Sequence, residues 1–366
     1  MSDTDQTTFL SALEDHLRRT VTEAVAEPLR AVDEELNGIA GLCHSAVQAG
    51  GKRLRPRFAY WAWRVGAAPG VSAGPLVGLG AALELLHAAI LVHDDVIDSS
   101  EVRRGKPSVR AALAAEHRAE AGWGDSREFG DHMALLVGDI LWSTAHDTFD
   151  AAVAGLPADV AQRTSRAFRS MRVEVLAGQL LELRAQAGRD YRATTAEKIL
   201  RYKTSVYTVE RPMELGLLVA GVTAPDIAAS VHDYAAAVGQ AFQLRDDLAD
   251  LYGTTDSSGK RGGDDIRSGK PTELLGFTLD RAGAAEVDSL TAIVGRQDAG
   301  DDELARARQI VLGCGAVDHV RGRIADLVGA AEDAIERLAG VADAPTRAGL
   351  EAMLIECTEL SFLPVP

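Results

Sequence analysis

The chain has 366 residues, 46% of them hydrophobic, 25% charged and only 5% aromatic, which is globular usage with a core that Leu, Ala and Val must fill. The formal net charge of −16 excludes nonspecific nucleic-acid binding, since phosphate neutralisation needs a basic face, and it disfavours an anionic membrane surface. Cys43, Cys314 and Cys357 lie far apart without C-x-x-C spacing, which argues against structural zinc and a disulfide framework and fits a reduced, cytoplasmic setting.

The opening MSDTDQTTFL is acidic and polar, unlike a secretory signal. Leu10, Leu13, Leu17 and Val21 recur at helical spacing and predict an amphipathic helix over residues 8–38. A break at Ala49-Gly50-Gly51 precedes a helix carrying Arg53, Arg57 and Tyr60, and AAPGVSAGP reads as a loop. A long helix follows from Leu76 to Asp98. Further helices are expected over 131–152, 157–187, 195–220, 225–252, 271–282, 285–297, 301–313, 315–340 and 344–358. Pro and Gly interrupt every apolar run of about 20 residues, so no transmembrane span is expected. The connections lack linker composition, and the pattern predicts one large all-α domain. The Gly/Asp/Ser-rich stretch 253–271 is long enough to suggest a functional loop.

The chemistry concentrates in two places. LVHDDVIDSSEVRRGKPS carries Asp94, Asp95 and Asp98. Asp94 and Asp98, four apart, share one helix face. A charge run at a helix end is ordinarily solvated, but the apolar AAILV before it favours a bound cation. QAFQLRDDLADLYG repeats the pattern with Asp246, Asp247 and Asp250, again after an apolar approach. Six carboxylates exceed the needs of one structural ion. They suit several Mg²⁺ ions, each held by one or two carboxylates while phosphate oxygens and water complete the octahedron.

Phosphate needs positive partners. Arg103 and Arg104 follow the first cluster. GGKRLRP supplies Lys52, Arg53 and Arg55, RYKTS supplies Lys203, and the Gly-rich stretch adds Lys260 and Lys270. Each alone reads as a surface salt bridge; grouped beside Gly pairs and Asp clusters in an acidic chain, they point to anion binding. GTTDSSGKR and GDDIRSGKP fail as Walker A loops, with five residues between the glycines where four are required. Glu84 and His87 form an E-x-x-H with no second copy to complete a di-iron site; a core histidine or a phosphate contact are the two readings of His87.

GGKRLRP, HDDVID followed by RRG, YKTS, FQLRDD and GDDIRSGKPT occur in this order between Gly50 and Thr272. In these motifs the chain resembles the trans-isoprenyl diphosphate synthases, or polyprenyl synthetases, and KTSVYTVERPMELG and GQLLEL look most like the bacterial geranylgeranyl diphosphate synthases among them. The resemblance implies a single helical bundle of the isoprenoid synthase type around a central cavity, spanning 1–366 with 1–48 as an N-terminal helical extension, and a homodimer. Asp94, Asp98 and Asp246 would hold Mg²⁺, three ions in all, against an allylic diphosphate, with Asp95, Asp247 and Asp250 completing the catalytic motifs. Arg103, Lys203, Lys260 and Lys270 would grip that diphosphate. Isopentenyl diphosphate would sit on Lys52, Arg55, His87 and Arg104, and the oxygens of Thr204 and Gln243 would face the carbocation. Water exclusion would fall to the 253–271 loop as a lid.

Product length in such an enzyme depends on what closes the tunnel below Asp94. Ile90 and Ala89, four and five residues earlier, lie about one turn deeper. Neither is aromatic, and the first motif has no two-residue insertion, so the floor is expected from Leu86, Trp142, Phe168 or Met171. Overall likeness favours a geranylgeranyl product, with another chain length as the alternative. A class I terpene cyclase is disfavoured by GGKRLRP and the second D-D-x-x-D, and a non-catalytic synthase subunit by two complete aspartate motifs.

Overall fold

In the computed structural model the described residues are 6–48, 50–67, 71–252 and 262–363. Lys260 and the first part of the expected lid, 253–261, therefore lie outside them. The described residues are 80% helical, as the composition predicts, and the chain divides into two compact units. The first comprises Met1–Tyr60, Ala67–Ser165 and Leu218–Gly221, the second Trp61–Gly66, Arg166–Leu217 and Val222–Pro366.

In the first unit the expected N-terminal helix is broken. Helix α1 (Gln6–Val21) runs through a π-helical turn, Thr22–Ala26, into α2 (Glu27–Val32), whose early Pro28 suits a helix start. Asp33 is extended, with φ −161° and ψ 136°, and its carboxylate accepts from the Glu35 amide at 2.9 Å. That local cap stops the helix, and α3 (Asn37–Gln48) starts again beyond it. Phe9, rather than Leu10, joins Leu13, Leu17 and Val21 on the buried face, stacking on Tyr60 at 5.1 Å. Helix α4 (Leu54–Gly66) begins in this unit, and α5 (Gly74–Ile97) is its centre, packed along α7 (Ser126–Val153).

Pro75, Gly78 and Gly80 do not interrupt α5. By length and composition it could cross a membrane, contrary to the expectation from interrupted runs, but 72% of its most apolar window is buried inside the protein. A central core helix is apolar on all sides for that reason. A two-stranded hairpin, β1 (Val102–Arg103) and β2 (Lys106–Pro107), and helix α6 (Val109–Ala119) follow; the sequence reading contained neither. Arg104 and Gly105 have φ of 53° and 73°, the doubly left-handed turn that a tight hairpin demands and that Gly satisfies at no steric cost. Ser108 then caps α6.

Helix α8 (Ala158–Gly188) continues into the second unit, where it is followed by α9 (Ala193–Ile199), a π-helical segment Leu200–Glu210, α10 (Arg211–Val219) and α11 (Pro225–Tyr252). The sequence predicts one plain helix over 195–220; the π segment is a departure from it. Helices α12 (Asp264–Ser268), α13 (Glu273–Arg281), α14 (Ala284–Thr291), α15 (Asp301–Gly313), α16 (Ala316–Arg337) and α17 (Ala344–Thr358) complete the unit. Its core gathers Leu244, Leu248, Ile266, Leu275, Leu290 and Val320, with α11 against α16 and the π segment.

Candidate active site

The first aspartate motif closes α5. Asp98 is its C-cap, its amide donating to the Asp94 carbonyl at 2.8 Å. Asp94 and Asp98 are partly exposed on one face, as their spacing requires, whereas Asp95 is buried. Asp95 accepts the Arg103 Nε–H at 2.9 Å, and the Arg103 Nη2 reaches Asp94 at 3.5 Å. Burial works against the guanidinium charge, but Asp95, Asp94 and Asp98 outweigh it and hold Arg103 above its usual range. The hairpin thus returns Arg103 to the helix end it has just left.

Arg104, next on the same turn, points elsewhere. It donates to the Gly50 carbonyl, so the GGK and RRG motifs meet. Arg55 is buried, and Lys52 is exposed beside it. Burial first, then the charges of Arg55, Arg104, Arg103 and Arg53, push the His87 imidazole well below its ordinary value, leaving it neutral at pH 7. Burial also depresses Arg104, with Glu84 opposing and Arg53, Arg103 and Arg55 adding to the depression. Arginines gathered around one neutral imidazole make an anion cradle. Within it Arg53 donates to Glu14 and to Glu84, each at 2.7 Å. The E-x-x-H glutamate is therefore a structural partner of Arg53.

The second motif lies on the last turns of α11. Asp246 is exposed, Asp247 buried and Asp250 intermediate. Asp247 accepts from the Gln243 amide nitrogen at 2.6 Å, and Asp250 accepts from the Asp265 amide at 3.0 Å. The SGKPT segment sets Lys270 locally. Gly269, at φ 68°, ends α12, Thr272 caps α13, and the Lys270 ammonium lies 3.3 Å from Asp265. Burial pushes Asp247 well above the usual carboxylate range, with Lys270 opposing and Asp265 adding. Burial and Asp265 push Asp250 up to about 7.

A pocket of about 290 Å³ in this unit is lined by Glu182, Lys203, Thr204, Gln243, Asp247 and Lys270 among others. It brings together five residues expected from sequence and adds Glu182, which was not singled out. The signal was present in GQLLEL, where a carboxylate stands one helical turn after a glycine amid leucines.

Among the described residues, no three Asp, Glu, His or Cys side chains converge into a cage that could hold a metal by itself. The donors nonetheless fit Mg²⁺. They are all-oxygen and paired one turn apart, and at the second motif Arg245 and Lys270 answer the negative charge only in part, which suits an ion that takes one or two carboxylates and completes its shell from substrate and water.

The polyprenyl synthetase family model matches residues 37–311, and the chain belongs to that family of trans-isoprenyl diphosphate synthases; it is a prenyltransferase. It is 30% identical over 329 residues to a short chain isoprenyl diphosphate synthase of Methanothermobacter thermautotrophicus, covering 89% of each chain. It is also 30% identical to the octaprenyl diphosphate synthase of Escherichia coli, covering 90% of this chain and 95% of the other. The crystal structure of geranylgeranyl pyrophosphate synthase from Corynebacterium glutamicum, complexed with isoprenyl diphosphate and magnesium, superposes with a TM-score of 0.90 at 33% identity, covering 97% of this chain and 99% of that one.

Proposed function

We propose that the protein condenses isopentenyl diphosphate with an allylic diphosphate to give geranylgeranyl diphosphate, acting as one functional domain over 1–366 with 1–48 as an extension. The observation that carries this reading is the pairing, in one chain, of an arginine-rich anion cradle around His87 with a pocket that collects Lys203, Thr204, Gln243 and an aspartate of the second motif. Likeness to the Corynebacterium glutamicum enzyme favours the C20 product over the longer product of the Escherichia coli relative.

In this reading Asp94, Asp98 and Asp246 hold Mg²⁺, three ions with bound diphosphate. When bound, the metal neutralises charge on the departing diphosphate. Arg103, Lys203, Lys260 and Lys270 add charge-assisted hydrogen bonds to the same oxygens. Asp95 anchors Arg103, and Asp247 and Asp250 hold Gln243 and the backbone of Asp265. Lys52, Arg55, His87 and Arg104 orient isopentenyl diphosphate, the neutral His87 giving or accepting one hydrogen bond without adding charge. The allylic C–O bond breaks, the Thr204 and Gln243 oxygens face the cation, and the double bond of isopentenyl diphosphate closes the new C–C bond. The proton then lost goes to the released diphosphate, so no side-chain base is required.

We also propose a homodimer in the cytoplasm. Along α8, Val173, Leu176 and Leu180 are 64%, 47% and 62% exposed, a helical stripe that a second copy would cover. Sedimentation as a monomer at micromolar concentration would remove that assignment. For the reaction, the test is incubation with Mg²⁺, isopentenyl diphosphate and each allylic starter, followed by chain-length measurement. Absence of condensation with every starter would refute the activity, whereas a product beyond C20 would refute only the length.

A further inference from the structure

The reaction scheme above gives no part to Glu182, a carboxylate in the pocket. Its side chain is 1% exposed, and a carboxylate so buried needs a partner. One oxygen accepts from the Lys203 ammonium at 2.5 Å; the other, also buried, has no hydrogen-bond partner. One turn earlier on α8, Gly178 lies so near the backbone of Lys203 that an added Cβ would collide with its amide nitrogen and Cα. A single turn of α8 therefore fixes Lys203 at both ends, its backbone against Gly178 and its ammonium against Glu182.

The π-helical segment gives this contact its purpose. A π segment lacks the tight i→i−4 ladder that holds an α-helical residue in place, and Lys203 and Thr204 both lie within Leu200–Glu210. A lysine chain has rotamer entropy to lose when its ammonium is localised. Glu182 meets that cost before substrate arrives. We infer that Glu182 is a positioning residue, which presets the Lys203 ammonium for the allylic diphosphate. The inference rests on the role proposed for Lys203.

The test is a double-mutant cycle with Glu182→Ala, Lys203→Ala and the double variant, read as kcat/KM for the allylic diphosphate, with KM for isopentenyl diphosphate and Tm followed in parallel. Glu182→Ala should lower the allylic kcat/KM by on the order of tenfold, leave KM for isopentenyl diphosphate unchanged, and have no further effect in the Lys203→Ala background. Glu182→Gln, isosteric and still an acceptor, keeps the test valid if the alanine variant misfolds. It should fold with the wild-type Tm and show a smaller loss of the same kind. Multiplicative losses in the double variant, or wild-type kinetics in both Glu182 variants, would overturn the inference alone. Wild-type kinetics in Lys203→Ala would overturn the role of Lys203 and this inference with it.

Discussion

The two aspartate motifs share a spacing and differ in their company. At the end of α5 the buried central carboxylate, Asp95, is matched by a half-buried arginine, and the hairpin that follows returns Arg103 to it. At the end of α11 the equivalent Asp247 meets the neutral amide of Gln243, while Asp264 and Asp265 add negative charge nearby and Lys270 answers only in part. At the first motif the central aspartate is paired with a charge; at the second it meets a neutral amide, and burial with Asp264 and Asp265 leaves excess negative charge there that a cation would relieve, although Asp246 pairs with Arg245 at 3.2 Å. Identical sequence patterns thus carry different energies, because the compensating residue sits outside the pattern.

The largest effect that probes this contrast is on turnover. Asp94→Ala and Asp246→Ala should each abolish condensation while shifting Tm by no more than a few degrees, measured by product assay and calorimetry. Retained activity in either would contradict metal holding at that position.

Stability should separate the two central aspartates. Asp95→Asn takes from the partly buried Arg103 the nearer of its two carboxylate partners and should cost about 3 kcal/mol. Asp247→Asn removes a buried charge yet keeps an acceptor for Gln243, and should be neutral or stabilising. Equal losses in denaturant titrations would erase the distinction.

A third and smaller effect concerns pH. Asp250 in the folded chain titrates near 7, above its unfolded value, so between the ordinary carboxylate range and pH 7 the folded state binds the extra proton. In metal-free buffer, Tm should therefore rise by a few degrees from pH 8 to pH 5, and Asp250→Asn should remove part of that rise. Added Mg²⁺ should raise Tm more at pH 8 than at pH 5. A Tm that falls over the same interval would refute excess charge at the second motif.

The smallest effect lies beneath the first motif. Ile90 is about 40° from Asp94 around the helix and partly exposed, while Ala89 is about 140° away and fully buried. Ile90→Phe and Ala89→Phe should each shorten the product, the second with a loss of stability from overpacking. An unchanged product with both variants would show that neither lines the tunnel.

Much of this was legible beforehand because helical periodicity and the motifs are local signals. Residues 225–252 and 344–358 match the observed helices, the shared face of Asp94 and Asp98 needed only spacing, and Thr204 was singled out through the family resemblance alone. What escaped depends on partners distant in sequence. Glu182 meets Lys203 across 21 positions and Arg53 meets Glu84 across 31, and no periodicity records such pairs. The hairpin after Asp98 was missed because two-residue strands have no alternation to read, and the break at Asp33 because a local Asx cap outcompeted an otherwise helical pattern.

The π-helical segment Leu200–Glu210 makes this protein sensitive to residue count as well as residue identity. A π turn is an α-helix with surplus chain, and each residue of an α-helix turns the rest of it by about 100°. A single-residue deletion between Arg201 and Glu210 would let the segment tighten into ordinary helix and swing Lys203 and Thr204 out of phase with Gly178 and Glu182. The same deletion in Thr22–Ala26, the chain's other π segment, would remove slack from a stretch that presents no pocket side chain. Loss of one residue should therefore cost activity in Leu200–Glu210, where the pocket side chains stand, and packing alone in Thr22–Ala26, where Val25 is buried.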